Sequence, residues 1–447
     1  MDLLEQIASA GVVGCGGAGF PTHVKLKGKF THWIINGAEC EPLLRNDRYL
    51  MRTQAPALVE AACAVAEAQG IGRVVFALKG HYREECAALR RAIEAAGANA
   101  DVQELVSFYP AGDEQSVVYE VTGRIVPPAG LPSEVGAVVS NVGTVYAIYE
   151  ALHGRPFTHR YLTVTGLVHH PAVLHVPVGT SFRYCLDLAG GTLSDDFFVV
   201  SGGPMMGCGV PAEKLEDTVV TKTTSGILVL PPDGYHAAAD ALQLQHMLNR
   251  ARSACIQCSA CTQLCPRHLL GHPLEPHRIM RRMAVSTDLQ VLLQESYIRT
   301  AQLCCECGVC ETYACPMGLQ PRKINSLLKQ ELAKAGMRYP RGEGPWVPDP
   351  EREQRKVPTE RIAARTGVYP YWNFPVAECI EDTPPEVRIP TRMHVGVPAL
   401  PEVIPGDIVH PGTVIARPPE GALGAMIHAS IGGRVQAVGE KIVITAE

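Results

Sequence analysis

The sequence lacks any long apolar run. Stretches such as Val138 to Ala147 are broken by Asn141 and Gly143, far short of the roughly 20 apolar residues a bilayer crossing needs, so no membrane span is expected. An excess of positive charge is missing too: 40 Lys and Arg stand against 45 Asp and Glu, a net charge of -5. That excludes a generally basic surface, and nucleic acid is not an expected partner. The first residues, MDLLEQIASAGVVGCGG, have no basic segment followed by an apolar core and a small-residue cleavage site, so they do not read as a secretory signal. The expectation is a soluble, cytoplasmic protein. With 46% hydrophobic and 19% charged residues there is little room for extensive disorder, and 447 residues point to several compact units rather than one core.

Cysteine, by contrast, is plentiful. Nine of the 16 cysteines lie between Cys255 and Cys315, which in a large chain without an export signal reads as metal ligation in a reducing compartment rather than as disulfides. Cys255, Cys258, Cys261 and Cys265, followed by Pro266, have the spacing of the bacterial ferredoxin run. Cys304, Cys307, Cys310 and Cys315, followed by Pro316, repeat it with one extra residue before the last cysteine. In two-cluster ferredoxins three cysteines of a run hold one cubane and the fourth ligates the other. Two [4Fe–4S] clusters are therefore expected, one on Cys255, Cys258, Cys261 and Cys315, the other on Cys304, Cys307, Cys310 and Cys265. Zinc, which also takes thiolates at two-residue spacing, is the alternative, although a single ion has no use for so compact a triple. Cys305 competes with Cys304, but only Cys304 keeps the register. Cys15, Cys40, Cys63, Cys86, Cys185, Cys208 and Cys379 read as ordinary thiols. Arg281-Arg282, between the two runs, reads either as a docking pair or as a solvated one.

The pattern along the chain is multidomain, α/β and α+β. Residues 1–155 alternate short β-rich runs with helical ones, as in a Rossmann-like unit. Residues 156–232 read as a small β-grasp unit of short strands and turns, and 238–337 as a helical unit carrying the cysteines. Nine prolines between Tyr339 and Pro385 mark 338–388 as an extended linker that packs on its neighbours. Residues 389–447 look all-β.

Four motifs of the first unit carry further chemistry. Gly14-Cys15-Gly16-Gly17-Ala18-Gly19, with Lys25 beyond it, lets backbone N–H groups approach a phosphate; no Gly-Lys-Ser/Thr closes it, and a tight turn is the alternative. Asn36-Gly37-Ala38-Glu39-Cys40-Glu41, Tyr109-Pro110-Ala111-Gly112-Asp113-Glu114 and Ser140-Asn141-Val142-Gly143-Thr144 each follow a predicted strand, where ligands of α/β sheets sit. They suit a flavin edge and nicotinamide ribose hydroxyls. Helix capping by Asp113 and Thr144, with solvated glutamates, is the competing explanation.

Together these motifs resemble the FMN- and NADH-binding subunit of respiratory complex I and the related RnfC protein of the Rnf complex. The resemblance implies FMN contacts at Gly14, Gly16, Gly17, Gly19, Lys25, Asn36, Tyr109, Gly112, Asp113, Asn141 and Thr144, and NADH near Glu39, Glu41 and Glu114. The sequence departs from complex I in Cys15, where that loop has Arg, and in Ala38, where an Asp precedes the glutamates. RnfC has its barrel-sandwich domain in front of the flavin domain, whereas here that segment is last. This order, with Leu131-Pro132, Gly202-Gly203-Pro204-Met205-Met206-Gly207, Cys265 to Leu269 and Ile427 to Ile431, closely resembles the cobalamin reductases of propanediol-utilisation microcompartments.

That resemblance makes 156–232 an SLBB-like domain and 389–447 a barrel-sandwich hybrid. It implies electron transfer from NADH through FMN and the clusters to a corrinoid, an adenosyltransferase partner, and a place inside a bacterial microcompartment. An RnfC-like electron-input component, or a cluster-bearing protein with a decayed flavin site, are the alternatives. The last segment also resembles biotinyl and lipoyl carriers, but its hairpin Pro418 to Ala425 has no lysine to bear a prosthetic group, leaving a structural or docking role. His169, His170 and His428 are either cobalt ligands or ordinary polar residues.

Overall fold

The structure, a computed structural model, describes residues 2–286, 288–375 and 379–447. In the first unit β1 (His32–Asn36), β2 (Arg73–Lys79), β3 (Ala100–Leu105) and β4 (Ala137–Asn141) form an all-parallel sheet of order β3-β2-β1-β4. Trp33, Ile34 and Ile35 of β1 are all buried, as expected of a strand covered on both faces. One face packs Trp33, Ile35 and Phe76 against Leu58, Val65 and Ile148 from helices Ala55–Gln69 and Val142–Leu152. The other packs Ile34, Ala77 and Val139 against Val117 and Val118 of helix Glu114–Thr122. The winding reverses between β1 and β4, whose register sets Asn36 beside Asn141 at the carboxyl ends. A crevice opens at such a reversal.

The second unit is a mixed sheet of β5 (His159–Gly166), β6 (Ala172–Pro177), β7 (Phe198–Ser201), β8 (Cys208–Val210), β9 (Gly226–Leu230) and β10 (Cys379–Glu381), in the order β10-β6-β5-β9-β7-β8. Helix Phe182–Leu188 covers it with Phe182, Cys185 and Leu186, packed on Leu162, Leu174 and Ile227. The sequence pattern pointed only to strands and turns here. A seven-residue helix is too short to show a period, and its start is fixed locally by Ser181, whose Oγ accepts from the Tyr184 N–H at 3.1 Å.

Helices Leu244–Ala254, Pro276–Val285 and Pro321–Lys334 build the cysteine-bearing unit around Leu248, Ile279, Met283, Ile324 and Leu328. The proline-rich stretch is not wholly extended: it contains helix Thr359–Arg365, with Ile362 and Ala363 buried, again only two turns of pattern. Just before this helix the Val357 carbonyl accepts from the Tyr109 N–H at 2.8 Å. The last unit has one four-stranded and one three-stranded sheet closing on Val387, Ile389, Ile415, Ile427, Ile442 and Ile444. Buried Lys222 donates to the Gly11 carbonyl at 2.7 Å and to the Met426 carbonyl at 2.8 Å, joining the first, second and last units. Among the described residues no helix is long and apolar enough to cross a membrane.

Candidate functional site

A cavity of about 620 Å³ lies at the carboxyl ends of β1 and β4, and the glycine loop, Lys25, Asn36, Glu39, Glu41, Tyr109, Gly112, Asp113, Glu114, Asn141 and Thr144 all border it. Most of these polar side chains hold loops to one another. Asn36 donates through Nδ2 to the Gly112 carbonyl at 2.9 Å and accepts from the Ala38 N–H at 3.1 Å. Lys25 pairs with Glu114 at 2.6 Å. Asp113 does cap its helix, accepting from the Ser116 N–H at 3.1 Å. Thr144 caps nothing: the cap is Asn141, which accepts from the Gly143 N–H at 2.8 Å and donates to Asp47 at 2.6 Å. Thr144 Oγ1 instead accepts from the Cys15 N–H at 2.9 Å, pinning the glycine loop to the helix.

With the loop so held, the N–H groups of Gly16, Gly17 and Ala18 have no acceptor among the described residues. They form an orphan donor set at the cavity wall, which suits an anionic cofactor group. The glycines are needed for this shape. A Cβ on Gly16 would fall 2.9 Å from the Asn141 Cβ, and Gly19 has φ +74° with the Met393 carbonyl oxygen 2.8 Å from where its Cβ would lie. Gly16→Val is therefore expected to cut flavin retention at least tenfold while leaving the chain folded, read as the flavin-to-protein absorbance ratio after gel filtration.

The arginine absent from the loop at Cys15 has a counterpart that no local motif announced. Arg160, buried on β5, lines the cavity and donates through Nη2 to the Cys15 carbonyl at 3.1 Å and through Nε to the Thr224 carbonyl at 2.8 Å. Burial pushes the Cys15 thiol up despite this cation, so the thiol stays neutral.

Glu41 is held by the second unit, and Glu39 by its own loop, its Oε1 accepting from the Glu41 N–H at 2.9 Å. Glu41 Oε2 accepts from the Met205 N–H at 2.8 Å, and Oε1 is buried without a partner among the described residues. Burial pushes Glu41 up to about 7, and burial followed by the nearby Asp47 charge pushes Glu39 up as well. A carboxyl raised in the folded state binds its proton more tightly there than in the unfolded chain. The stability it contributes is thus full below about pH 4.5 and lost as pH rises through about 7. Glu41→Gln is expected to raise the thermal midpoint at pH 8 relative to the parent and to change it little at pH 4.5, measured by scanning fluorimetry.

Next to the cavity lie the cysteines, in two sets. Cys305 and Cys307 border the cavity itself, and Tyr109 Oη donates to the Cys307 carbonyl at 2.7 Å. Burial, then the Cys305 and Cys304 sulfurs, push the Cys265 thiol up, and Cys310 is pushed up by burial with Glu311, Cys304 and Cys265 behind it. Cys265 is thus within electrostatic reach of the second run, and Cys261 is likewise within reach of Cys310. The other set, Cys255, Cys258, Cys261 and Cys315, borders a separate cavity of about 30 Å³. Burial and the other three sulfurs push Cys261 up to about 12. A bound cation would hold such thiols as thiolates. Backbone N–H groups of Glu306 and Leu319 donate to the Cys304 and Cys315 sulfurs, each at 3.4 Å. Among the described residues no three His, Cys, Asp or Glu side chains converge on a single-ion site. His169, His170 and His428 are not among the residues lining the large cavity.

The chain matches the Nuo51 FMN-binding domain over residues 7–150, the SLBB domain over 161–209, the 4Fe-4S dicluster domain over 254–320 and the RnfC barrel sandwich hybrid domain over 375–447. It is 42% identical over 446 residues to the cobalamin reductase PduS of Salmonella typhimurium, covering 99% of this chain and 96% of that one. The chain belongs to the PduS cobalamin reductase family. It is also 36% identical to the RnfC-type component of the Na(+)-translocating ferredoxin:NAD(+) oxidoreductase complex of Acetobacterium woodii, over 59% of this chain and 58% of that one. The structure of an NAD+-reducing [NiFe]-hydrogenase in its H2-reduced state shares the fold with a TM-score of 0.50 at 19% identity, covering 77% of this chain and 64% of that one.

Two further contributors lie in segments that the sequence marks only by family resemblance. Arg267, in the Cys-Pro-Arg-His segment, makes a two-pronged ion pair with Asp113 at 2.7 and 2.9 Å, fastening the cluster unit to the cavity rim. Gly202, Gly203 and Met206 of the second unit close another side of the cavity.

Proposed function

We propose that this chain takes electrons from NADH, passes them through FMN in the large cavity and two [4Fe–4S] clusters, and delivers them to a corrinoid. One observation carries the reading: Cys305 and Cys307 border the same cavity as the glycine loop, so the flavin-site residues and one cysteine set share a wall. FMN bound there would accept two electrons together and release them singly, the conversion needed between NADH and iron–sulfur clusters. The free N–H groups of Gly16, Gly17 and Ala18 are placed to hold its phosphate, and Glu39, Glu41 and Glu114 stand where NADH is expected. Tyr109 keeps the backbone of the second cysteine run against the cavity through its 2.7 Å bond to Cys307. Cys265, Cys304, Cys307 and Cys310 would hold the inner cluster. Cys255, Cys258, Cys261 and Cys315 would hold the outer one, where Cys258 is exposed and electrons can leave.

The PduS relatives favour a corrinoid acceptor over Rnf-like input to a membrane partner, because the Salmonella protein aligns with 99% of this chain while the Acetobacterium one aligns with 59%. An adenosyltransferase would then consume the reduced corrinoid, and a microcompartment would house both. Stopped-flow mixing of anaerobically reconstituted protein with NADH, with and without cob(III)alamin, tests this. Flavin bleaching followed by corrinoid reduction is expected. Bleaching without corrinoid reduction would remove the acceptor, and no bleaching would leave only a cluster protein.

A further inference from the structure

We propose that the surface over the outer cysteine set is a docking site for an acidic protein that presents the electron acceptor. The inference rests on the direction of electron flow given above. It starts from size. The cavity bordered by Cys255, Cys258, Cys261 and Cys315 measures about 30 Å³ and is walled by Ile256, Met280 and Met317. It has no room for a corrinoid or any other organic acceptor beside the cysteines. An electron leaving from here would cross the exposed surface over Cys258.

The character of that surface selects the partner. Its centre is apolar: Ile256 is 60% exposed next to exposed Cys258. Its surroundings are positive. Between Leu244 and Ser286 the chain carries six arginines and a single acidic residue, Glu275, although its net charge is -5. Buried Arg267 faces inward. Arg278 is neutralised by Glu275 and Arg282 by Glu295, at 2.7 and 2.6 Å.

Three cations remain. Arg250 donates to the Met317 carbonyl at 2.7 Å, against the wall of the small cavity, and has no ion pair among the described residues. Arg252 is exposed in the last turn before Cys255. Arg281 is exposed one helical turn beyond His277, which lines the same cavity. Neither Arg252 nor Arg281 has an ion pair among the described residues. The two helices that carry them pack on each other, so the cations flank the apolar centre. An apolar core within a charged rim is the build of a protein interface, and a positive rim steers a negative partner. Arg281-Arg282 thus divides: Arg282 is tied to Glu295 and Arg281 is free to dock.

The test uses the full-length protein with its cofactors, and an acidic flavodoxin as probe. Binding is measured by biolayer interferometry, and single-electron transfer is measured from dithionite-reduced protein, so that neither readout depends on NADH. Flavodoxin should bind at low salt and weaken steeply with added salt, because screening acts on exposed charges. Arg252→Glu with Arg281→Glu should weaken binding and slow transfer about tenfold at low salt, and should improve both for a basic cytochrome c. Lys29→Glu with Arg91→Glu, the same charge change on exposed residues of the first unit, should leave both nearly unchanged. Equal effects from the two pairs, or no salt dependence, would overturn the docking site. Normal flavodoxin docking in protein that NADH does not bleach would sink the NADH reading and leave the surface standing.

Discussion

Cys265→Ser is expected to remove the inner cluster, not the one whose sequence run contains it. Cys265 lies in the first cysteine run, yet the Cys305 and Cys304 sulfurs of the second act on its thiol, while Cys315 of the second run stands with Cys255, Cys258 and Cys261 of the first at the small cavity. The variant should keep about half its iron, since each [4Fe–4S] cluster holds about four. NADH should still bleach the flavin, because the glycine loop and its partners are untouched. Delivery to the acceptor should fall by more than the roughly 10–100-fold seen when even an outer-shell metal partner is lost. Iron and sulfide analysis with low-temperature electron paramagnetic resonance, beside the matching Cys315→Ser, distinguishes the two pairings. If Cys265→Ser and Cys315→Ser each lose the cluster of their own run, the crossover is wrong.

Arg267→Ala is expected to be the most damaging change outside the cysteines. It would strand Asp113, whose side chain is 12% exposed beside an arginine at 9%, and removing one partner of a buried pair costs about 3–5 kcal/mol. The same carboxylate caps helix Glu114–Thr122, so the loss reaches the cavity rim. Expected results are a thermal midpoint lower by roughly 5–10 °C and slower passage from flavin to clusters, because the pair fastens one to the other. Arg267→Lys keeps the charge but loses the fork and should fall between. A midpoint unchanged in Arg267→Ala would show that the pair contributes nothing to the junction.

What was legible in the sequence was whatever is local. The cysteine spacings, the glycine loop and the motifs after strands are short, and each carries its chemistry in its own residue types. The parallel sheet was equally visible, because Trp33-Ile34-Ile35 and Val74-Val75-Phe76 are unbroken apolar runs. Partners brought in from afar were not legible. Arg160 reaches Cys15 across 145 residues and Arg267 reaches Asp113 across 154, and no local pattern announces either pairing. Thr144 was a reasonable helix cap by type, but the helix begins two residues earlier, at Val142. The capping position therefore falls to Asn141, an equally good cap.

The strand order of the second unit has a consequence for the electron path. The chain leaves that sheet after β9 at Leu230 and returns to it as β10 at Cys379, beside β6. The whole cysteine-bearing region is thus a closed excursion, anchored at both ends in one sheet. Its clusters stay near the flavin at a local concentration set by the tether and not by how much protein is present. A single cut in the proline-rich return would leave the cysteine-bearing region attached through Leu230, while the far fragment still holds β10 in the sheet.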